Sequence, residues 1–280
     1  MLFNSMRFLV FFPLACLVFY VCPKKWRPAY LTLISCFFYA CFLPINLLVL
    51  LYVGALSYGA GRLLGKIGKH RRAALACALV ALFAPLCLYK YTQFALNNLS
   101  TLLGLVGIGF YREVSWIAPI GISFFTFMGA GYLIDVYRGT QPEKNVFRYG
   151  AFITFFPVLA SGPIERSSGL LKQLNEDRSF DADKVKKGLM MMCWGYFLKL
   201  VLADRLSLFV GDAFANYAQY GFFRLSLGSV AFGLQLYCDF ASYSYLALGA
   251  GEVLGFDLID NFNTPYFSKS VTEFWRRWHI

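Results

Sequence analysis

YLTLISCFFYACFLPINLLVLLYVGALSYGA, residues 30–60, carries no charged side chain. A helix crossing a bilayer needs only ~20 apolar residues, so this run is too long for one span. Pro44 removes a backbone donor near its middle, and Asn46 follows two residues later. The stretch reads as two apolar helices joined by a tight turn, because backbone inside lipid must bond within its own helix.

The same pattern extends outward in both directions. Residues 8–21 form a short apolar run, followed by Lys24, Lys25 and Arg27, which outweigh Arg7 before it. That imbalance places Met1 outside and makes the segment a first span, not a cleaved signal. The loop at 62–72 carries Arg62, Lys66, Lys69, Arg71 and Arg72 without an acid, and three spans place it inside. Residues 73–91 read as a fourth span interrupted by Pro85. Residues 94–111, with Asn97, Asn98, Gly104 and Gly107, read as a separate interfacial or re-entrant helix. Residues 116–136 read as a further span and 151–163 as a re-entrant hairpin. Residues 164–187 hold Leu170, Leu171 and Leu174 at helical spacing, expected to lie as an amphipathic helix on the cytoplasmic face. Residues 188–209 and 222–254 complete the apolar set.

Composition agrees with this layout. The 280 residues are 59% hydrophobic and 15% charged, against the ~25% charged of a soluble domain. The fold class expected is an all-α polytopic membrane protein, one membrane domain over residues 1–280. The net charge of +11 lies mostly in short loops between apolar runs, as in membrane proteins, so no nucleic-acid partner is expected. Eight cysteines lie in or beside apolar runs without a C-x-x-C, and there are two histidines. Neither a disulfide framework nor a metal site is expected.

Charged and polar groups inside the apolar runs need a reason, since a charge at mid-bilayer costs at least ~3 kcal/mol. Gln235, Asp239 and Ser242 share one helix face by their 4, 3 spacing. They read either as the wall of a polar tunnel or, for Asp239, as a structural pair with Lys199. In 261–280, NFNTPYFSKSVTEFWRRWHI, Trp275, Trp278 and His279 are expected on one helix face, with Glu273 reaching Arg276 and Arg277. That cluster reads as an interfacial aromatic-basic belt or as a site in which His279 handles a proton. Arg276, Arg277 and Lys269 would meet an anionic acyl donor or lipid headgroups.

Several blocks together resemble the membrane-bound O-acyltransferase family, in its alginate O-acetylation and D-alanyl-teichoic acid branch. They are Leu234-Gln235-Leu236-Tyr237-Cys238-Asp239-Phe240, Asn261-Phe262-Asn263, and Thr272-Glu273-Phe274-Trp275-Arg276-Arg277-Trp278-His279. Pro119-Ile120-Gly121, Ile134-Asp135-Val136-Tyr137-Arg138-Gly139, and Phe156-Pro157 with Gly162-Pro163 also fit.

The resemblance implies many helices, some re-entrant, around a tunnel. It implies transfer of an acyl group, acetyl first, from a cytoplasmic thioester to hydroxyls of an extracytoplasmic polysaccharide. The donor would be acetyl-CoA or an acyl carrier protein, with no bound cofactor or metal. A periplasmic acetyltransferase would be a partner, and the bacterial inner membrane the location. His279 would be the first of two family histidines and the candidate catalytic residue of this chain, helping to line the site or position the donor, whereas the second is the one usually assigned as catalytic. Gln235, Asp239, Ser242, Trp275, Arg276, Arg277 and Trp278 would line the tunnel or the donor site. The second histidine would lie downstream, so the chain reads as C-terminally truncated and inactive alone. The family's Tyr-Ser-Asp pattern here reads Tyr243-Ser244-Tyr245. D-alanyl transfer to teichoic acid, a transporter and a non-catalytic scaffold are the alternatives.

Overall fold

A computed structural model describes residues 3–109, 112–114, 116–159 and 162–280. The described residues are helical, with one isolated antiparallel bridge, Phe262 to Trp278. The α-helices run α1 (Met6–Val21), α2 (Arg27–Ala40), α3 (Asn46–Leu64), α4 (Arg71–Leu105), α5 (Ile122–Tyr137) and α6 (Val146–Thr154). They continue with α7 (Phe156–Leu159), α8 (Ala182–Tyr196), α9 (Asp204–Ala215), α10 (Phe222–Val253) and α11 (Val271–Arg277). They gather into two compact units, Lys25–Ala160 with Arg166–Asn175, and Met1–Lys24 with Ser161–Glu165 and Glu176–Ile280.

In the unit built on Lys25–Ala160, the turn expected at Pro44 separates α2 from α3. Helices α3 and α4 are long and apolar enough to cross a membrane. Pro85 does not interrupt α4. The helix runs unbroken to Leu105, so the separate helix expected from residue 94 is its continuation. Its polar residues satisfy themselves locally. Thr92, Asn98 and Thr101 each donate to the carbonyl four residues back, on Leu88, Phe94 and Asn97. Residues 110–111, the end of that expected element, lie outside the described residues.

The span expected from Trp116 begins at Ile122 instead, after Pro119 and after Gly121 in a left-handed conformation (φ 73°). Residues 151–159 form two short buried helices broken at Phe155, and the rest of the expected hairpin includes the undescribed 160–161. Leu170, Leu171 and Leu174 are buried, not spread on a surface. Leu170 and Leu171 lie in one short π-helical turn, Ser167–Leu171, and Leu174 follows it. Tyr149, also buried, donates to Ser57 Oγ at 2.6 Å, and Ser57 donates to its own helix at Val53 O.

In the second unit, α8 passes without a break through a π-helical segment, Phe197–Ala203, into α9. Helix α10 packs along this path backbone to backbone. A Cβ on Gly188 would stand 2.6 Å from Gly249 O, and one on Gly249 would stand 2.5 Å from Gly188 O. Small residues at such crossings let apolar helices gain dispersion contacts where no hydrophobic drive exists. Helix α1 joins this unit through Tyr20, which donates to Val253 O at 2.7 Å.

After α10 the chain turns at Gly255 and runs extended toward Asn261. Glu165 anchors this run. It is 2% exposed, and its Oε1 accepts the Ile259 N–H at 2.8 Å. Its Oε2 is buried with no hydrogen-bond partner among the described residues. Burial raises the carboxyl to about 7, against the opposing pull of the Ile259 N–H.

Large apolar side chains face outward from several helices, including Leu14 and Leu17 on α1, Leu48 on α3, Leu102 on α4 and Val230 on α10. Soluble monomers rarely present such surfaces, whereas lipid solvates them.

Two outcomes follow from the packing. Gly188→Val is expected to lower the melting temperature in detergent by about 2–10 °C, since overpacking costs ~1–3 kcal/mol. Gly131→Ala, inside α5 at a position with open space, is expected not to lower it and to raise it slightly. The folded Glu165 carboxyl holds its proton to higher pH than a free one. Its contribution is therefore full below about 4.5 and is lost as pH rises through about 7. Glu165→Gln cannot ionise, so its melting temperature should gain on that of the wild type as pH rises. The gain corresponds to at most ~3 kcal/mol. Melting curves at several pH values check this.

Candidate active site around His279

The site is built from α10, the extended run at 257–263, and the segment from Ser268 to Ile280. Helix α11 starts on a capping arrangement. Ser270 Oγ accepts the Glu273 N–H at 3.1 Å, and Glu273 Oε2 accepts the Lys269 N–H at 2.8 Å. Glu273 Oε1 also pairs with Arg277 at 2.6 Å, one turn on.

The helix stops there. Trp278 is extended and pairs with Phe262. Asn263 N–H donates to Arg277 O at 2.9 Å, and Ile280 N–H donates to Asn261 O at 3.0 Å. His279 therefore does not share a helix face with Trp275 and Trp278, as the spacing predicts. Its backbone is left-handed (φ 49°), a costly conformation for a non-glycine residue, held by the hydrogen bonds on either side.

That geometry places the imidazole against α10. Its ring centroid is 4.9 Å from that of Phe240. Its Nδ1 lies 3.3 Å from Asn261 Oδ1. Asn261 is fully buried, and its Nδ2 donates to Ser244 Oγ on α10 at 2.9 Å. With the amide nitrogen committed to Ser244, the oxygen faces His279 and accepts from Nδ1–H. With that amide orientation, the matching tautomer has its proton on Nδ1 and its lone pair on Nε2. His279 is exposed, but its ring lies against Phe240, and this partial loss of solvent lowers the imidazole below its usual 6.5, which favours the neutral ring near pH 7. A neutral imidazole oriented by a hydrogen bond at Nδ1 and open at Nε2 can take a proton from a hydroxyl.

The surrounding rings brace this arrangement. Trp278 lies within 6.2 Å, centroid to centroid, of Tyr237, Phe262, Tyr266 and Phe274. Phe262 also meets Phe240 edge-on at 5.0 Å.

A second polar group sits on α10 one residue before Phe240. Lys199 Nζ lies 2.6 Å from Asp239 Oδ1 and 3.0 Å from Asp204 Oδ1. Lys199 belongs to the π-helical segment Phe197–Ala203, where a widened turn changes the direction in which side chains leave the helix. Among the sequence-derived candidates, Asp239 is thus joined to Lys199. Ser242 donates to Asp239 O on its own helix, which leaves it no free proton to offer. Gln235 Oε1 is buried with no partner among the described residues. Trp278 lies in the aromatic cluster, whereas Trp275 is 64% exposed, Arg276 is exposed and Arg277 is engaged by Glu273.

Asn261, Ser244 and Phe240 were not singled out as site residues by sequence reasoning. Asn261 reads there as one polar residue of a loop, and only its long-range pairing distinguishes it. Its place in the block Asn261-Phe262-Asn263, ahead of the histidine-bearing segment, was the available signal.

Known proteins supply an independent comparison. Residues 144–280 match the model of the MBOAT, membrane-bound O-acyltransferase family. The chain is 36% identical to a probable alginate O-acetylase of Pseudomonas aeruginosa, over all of this chain and 54% of that protein. It is 30% identical to a peptidoglycan O-acetyltransferase of Helicobacter pylori, over all of this chain and 59% of that protein. A teichoic acid D-alanyltransferase of Streptococcus thermophilus is 32% identical over 58% of this chain and 40% of its own length. The chain thus spans about half the length of the curated relatives it matches. The terminal block that builds the His279 site falls inside the matched residues, and the chain belongs to the membrane-bound O-acyltransferase family.

Proposed function

We propose that the protein moves an acyl group, most simply acetyl, from a thioester to an acceptor hydroxyl, on the way toward hydroxyl groups of an extracytoplasmic polysaccharide. The observation that carries this reading is the approach of His279 Nδ1 to the buried Asn261, itself held by Ser244 on α10. In the reaction, Nε2 takes the proton of an acceptor hydroxyl as its oxygen attacks the thioester carbonyl. The tetrahedral intermediate collapses, the C–S bond breaks, and the thiolate leaves with the proton returned by the imidazolium. The products are an ester and a free thiol. A thioester is already activated, so these steps require neither a metal nor a covalent intermediate on the enzyme.

Other residues take supporting parts in this reading. The Lys199–Asp239–Asp204 cluster and the unpartnered Gln235 Oε1 supply polar lining for a tunnel bounded in part by re-entrant segments. Arg276, exposed at the end of α11, meets an anionic donor such as acetyl-CoA or a phosphopantetheine carrier. The protein lies in the bacterial inner membrane as one membrane domain with Met1 outside. That orientation follows from the basic residues at 24–27 and 62–72. The ester acceptor lies on the far side, where a separate transferase completes delivery to the polymer.

Alginate-type O-acetylation is the first reading, because the probable alginate O-acetylase aligns along the whole chain. D-alanyl transfer is second, since the D-alanyltransferase aligns with little more than half of it.

The test is acetate ester on cell-surface polysaccharide, measured in cells whose native gene carries His279→Ala or His279→Gln. Ester content is expected to fall by about 10²–10⁴ with membrane abundance unchanged. Unaltered acetylation would remove His279 from the chemistry. In membranes, the wild-type rate should rise with pH to a plateau, with the midpoint below 6.5, because partial loss of solvent favours the neutral base. A midpoint above 6.5 would contradict that role.

A further inference from the structure

A cavity of about 360 Å³ lies within the unit Lys25–Ala160, between α2, α3 and α6. Its size falls in the ~300–1,000 Å³ range of ligand pockets. Leu50, Gly54, Phe147 and Ile153 supply much of its wall.

The hydroxyls that line it are all occupied. Thr32 donates within 2.9 Å of Pro28 O and Phe147 O. Tyr58 donates to Lys144 O at 2.7 Å, Tyr149 to Ser57 Oγ, and Thr154 to Gly150 O. None has a proton left for a polar guest, so the chemistry of the slot suits hydrocarbon. One wall, α3, is a helix long and apolar enough to cross a membrane, and Leu51 and Ala55 on that wall are exposed. Bilayer hydrocarbon is therefore the apolar material at hand.

The charge at one end narrows the guest further. Along α3 the slot-lining face passes Tyr58 and reaches Arg62 one turn on, then Lys66 after the helix ends. Lys144 stands at the same end, its carbonyl held by Tyr58. The nearby acid, Glu143, is turned to other work. Its Oε1 accepts the N–H groups of Lys144 and Asn145, and its Oε2 accepts from Asn175.

We propose that this slot holds an acyl chain of an anionic phospholipid, with the headgroup phosphate at Arg62, Lys66 and Lys144. The bound lipid fills the space between α2, α3 and α6 and ties these helices to one leaflet. The proposal is independent of the acyl-transfer chemistry.

The test uses the native protein, delipidated in mild detergent and then given phosphatidylglycerol or phosphatidylcholine at equal concentration. Native mass spectrometry counts the lipid retained. Wild type is expected to keep phosphatidylglycerol in preference. Ala55→Trp, which fills the slot from its open side, should lose that lipid. Arg62→Ala with Lys144→Ala should keep chain binding but lose the headgroup preference, about fivefold for each charge removed. Leu51→Trp, on the same wall, serves if Ala55→Trp does not fold. Equal retention of the two lipids by wild type would overturn the proposal. So would an undiminished phosphatidylglycerol count in a folded tryptophan variant.

Discussion

Polar groups placed among apolar helices must find partners inside the protein, because lipid offers none. That requirement accounts for most of the long-range hydrogen bonds in the structure. Tyr149 reaches Ser57, Lys199 reaches Asp239 and Asp204, and Asn261 reaches Ser244. The hydroxyls and amides of α4 solve the same problem locally, by bonding to carbonyls one turn back. The exceptions are few among the described residues. They include Glu165 Oε2 and Gln235 Oε1, in the unit that carries His279. Glu165 resolves its situation by holding its proton, which burial favours. Gln235 remains an acceptor for something else.

Asn261 links the interior to the chemistry. It is buried against α10, which fixes its amide. Its oxygen then fixes the imidazole of His279, and its backbone carbonyl accepts from Ile280. Glu165 secures the approach to it by binding Ile259 two residues earlier. The left-handed backbone at His279 is the strain this arrangement sustains, and the aromatic packing around Trp278 keeps it from relaxing. A loop histidine gains in this way the rigidity more often found on a helix.

Much of the helical layout was legible from apolar runs and their interruptions. The uncharged run at 30–60 divides at Pro44, and the runs at 8–21 and 222–254 match α1 and α10 closely. The misreadings have physical causes. Pro85 and the asparagines of α4 look like breaks, yet their polar groups are satisfied within the helix, so it continues. Leu170, Leu171 and Leu174 have the spacing of a surface helix, but tertiary packing draws them inward. Local spacing also extends α11 through His279, whereas the pairing of Trp278 with Phe262 ends it. Family motifs contain His279, Asp239 and Asn261 alike, but the part Asn261 takes is visible only in its contacts 17 and 18 residues away in sequence. No periodicity reports such contacts.

The proposed acyl transfer requires His279 to be a neutral imidazole with its proton on Nδ1 and its lone pair on Nε2. Nitrogen-15 NMR of histidine-labelled native protein in bilayers near pH 7.5 tests it most directly, with His279→Gln supplying the assignment. A protonated Nδ1 and a bare Nε2 are the expected result. A proton on Nε2, or a doubly protonated ring at that pH, would contradict it.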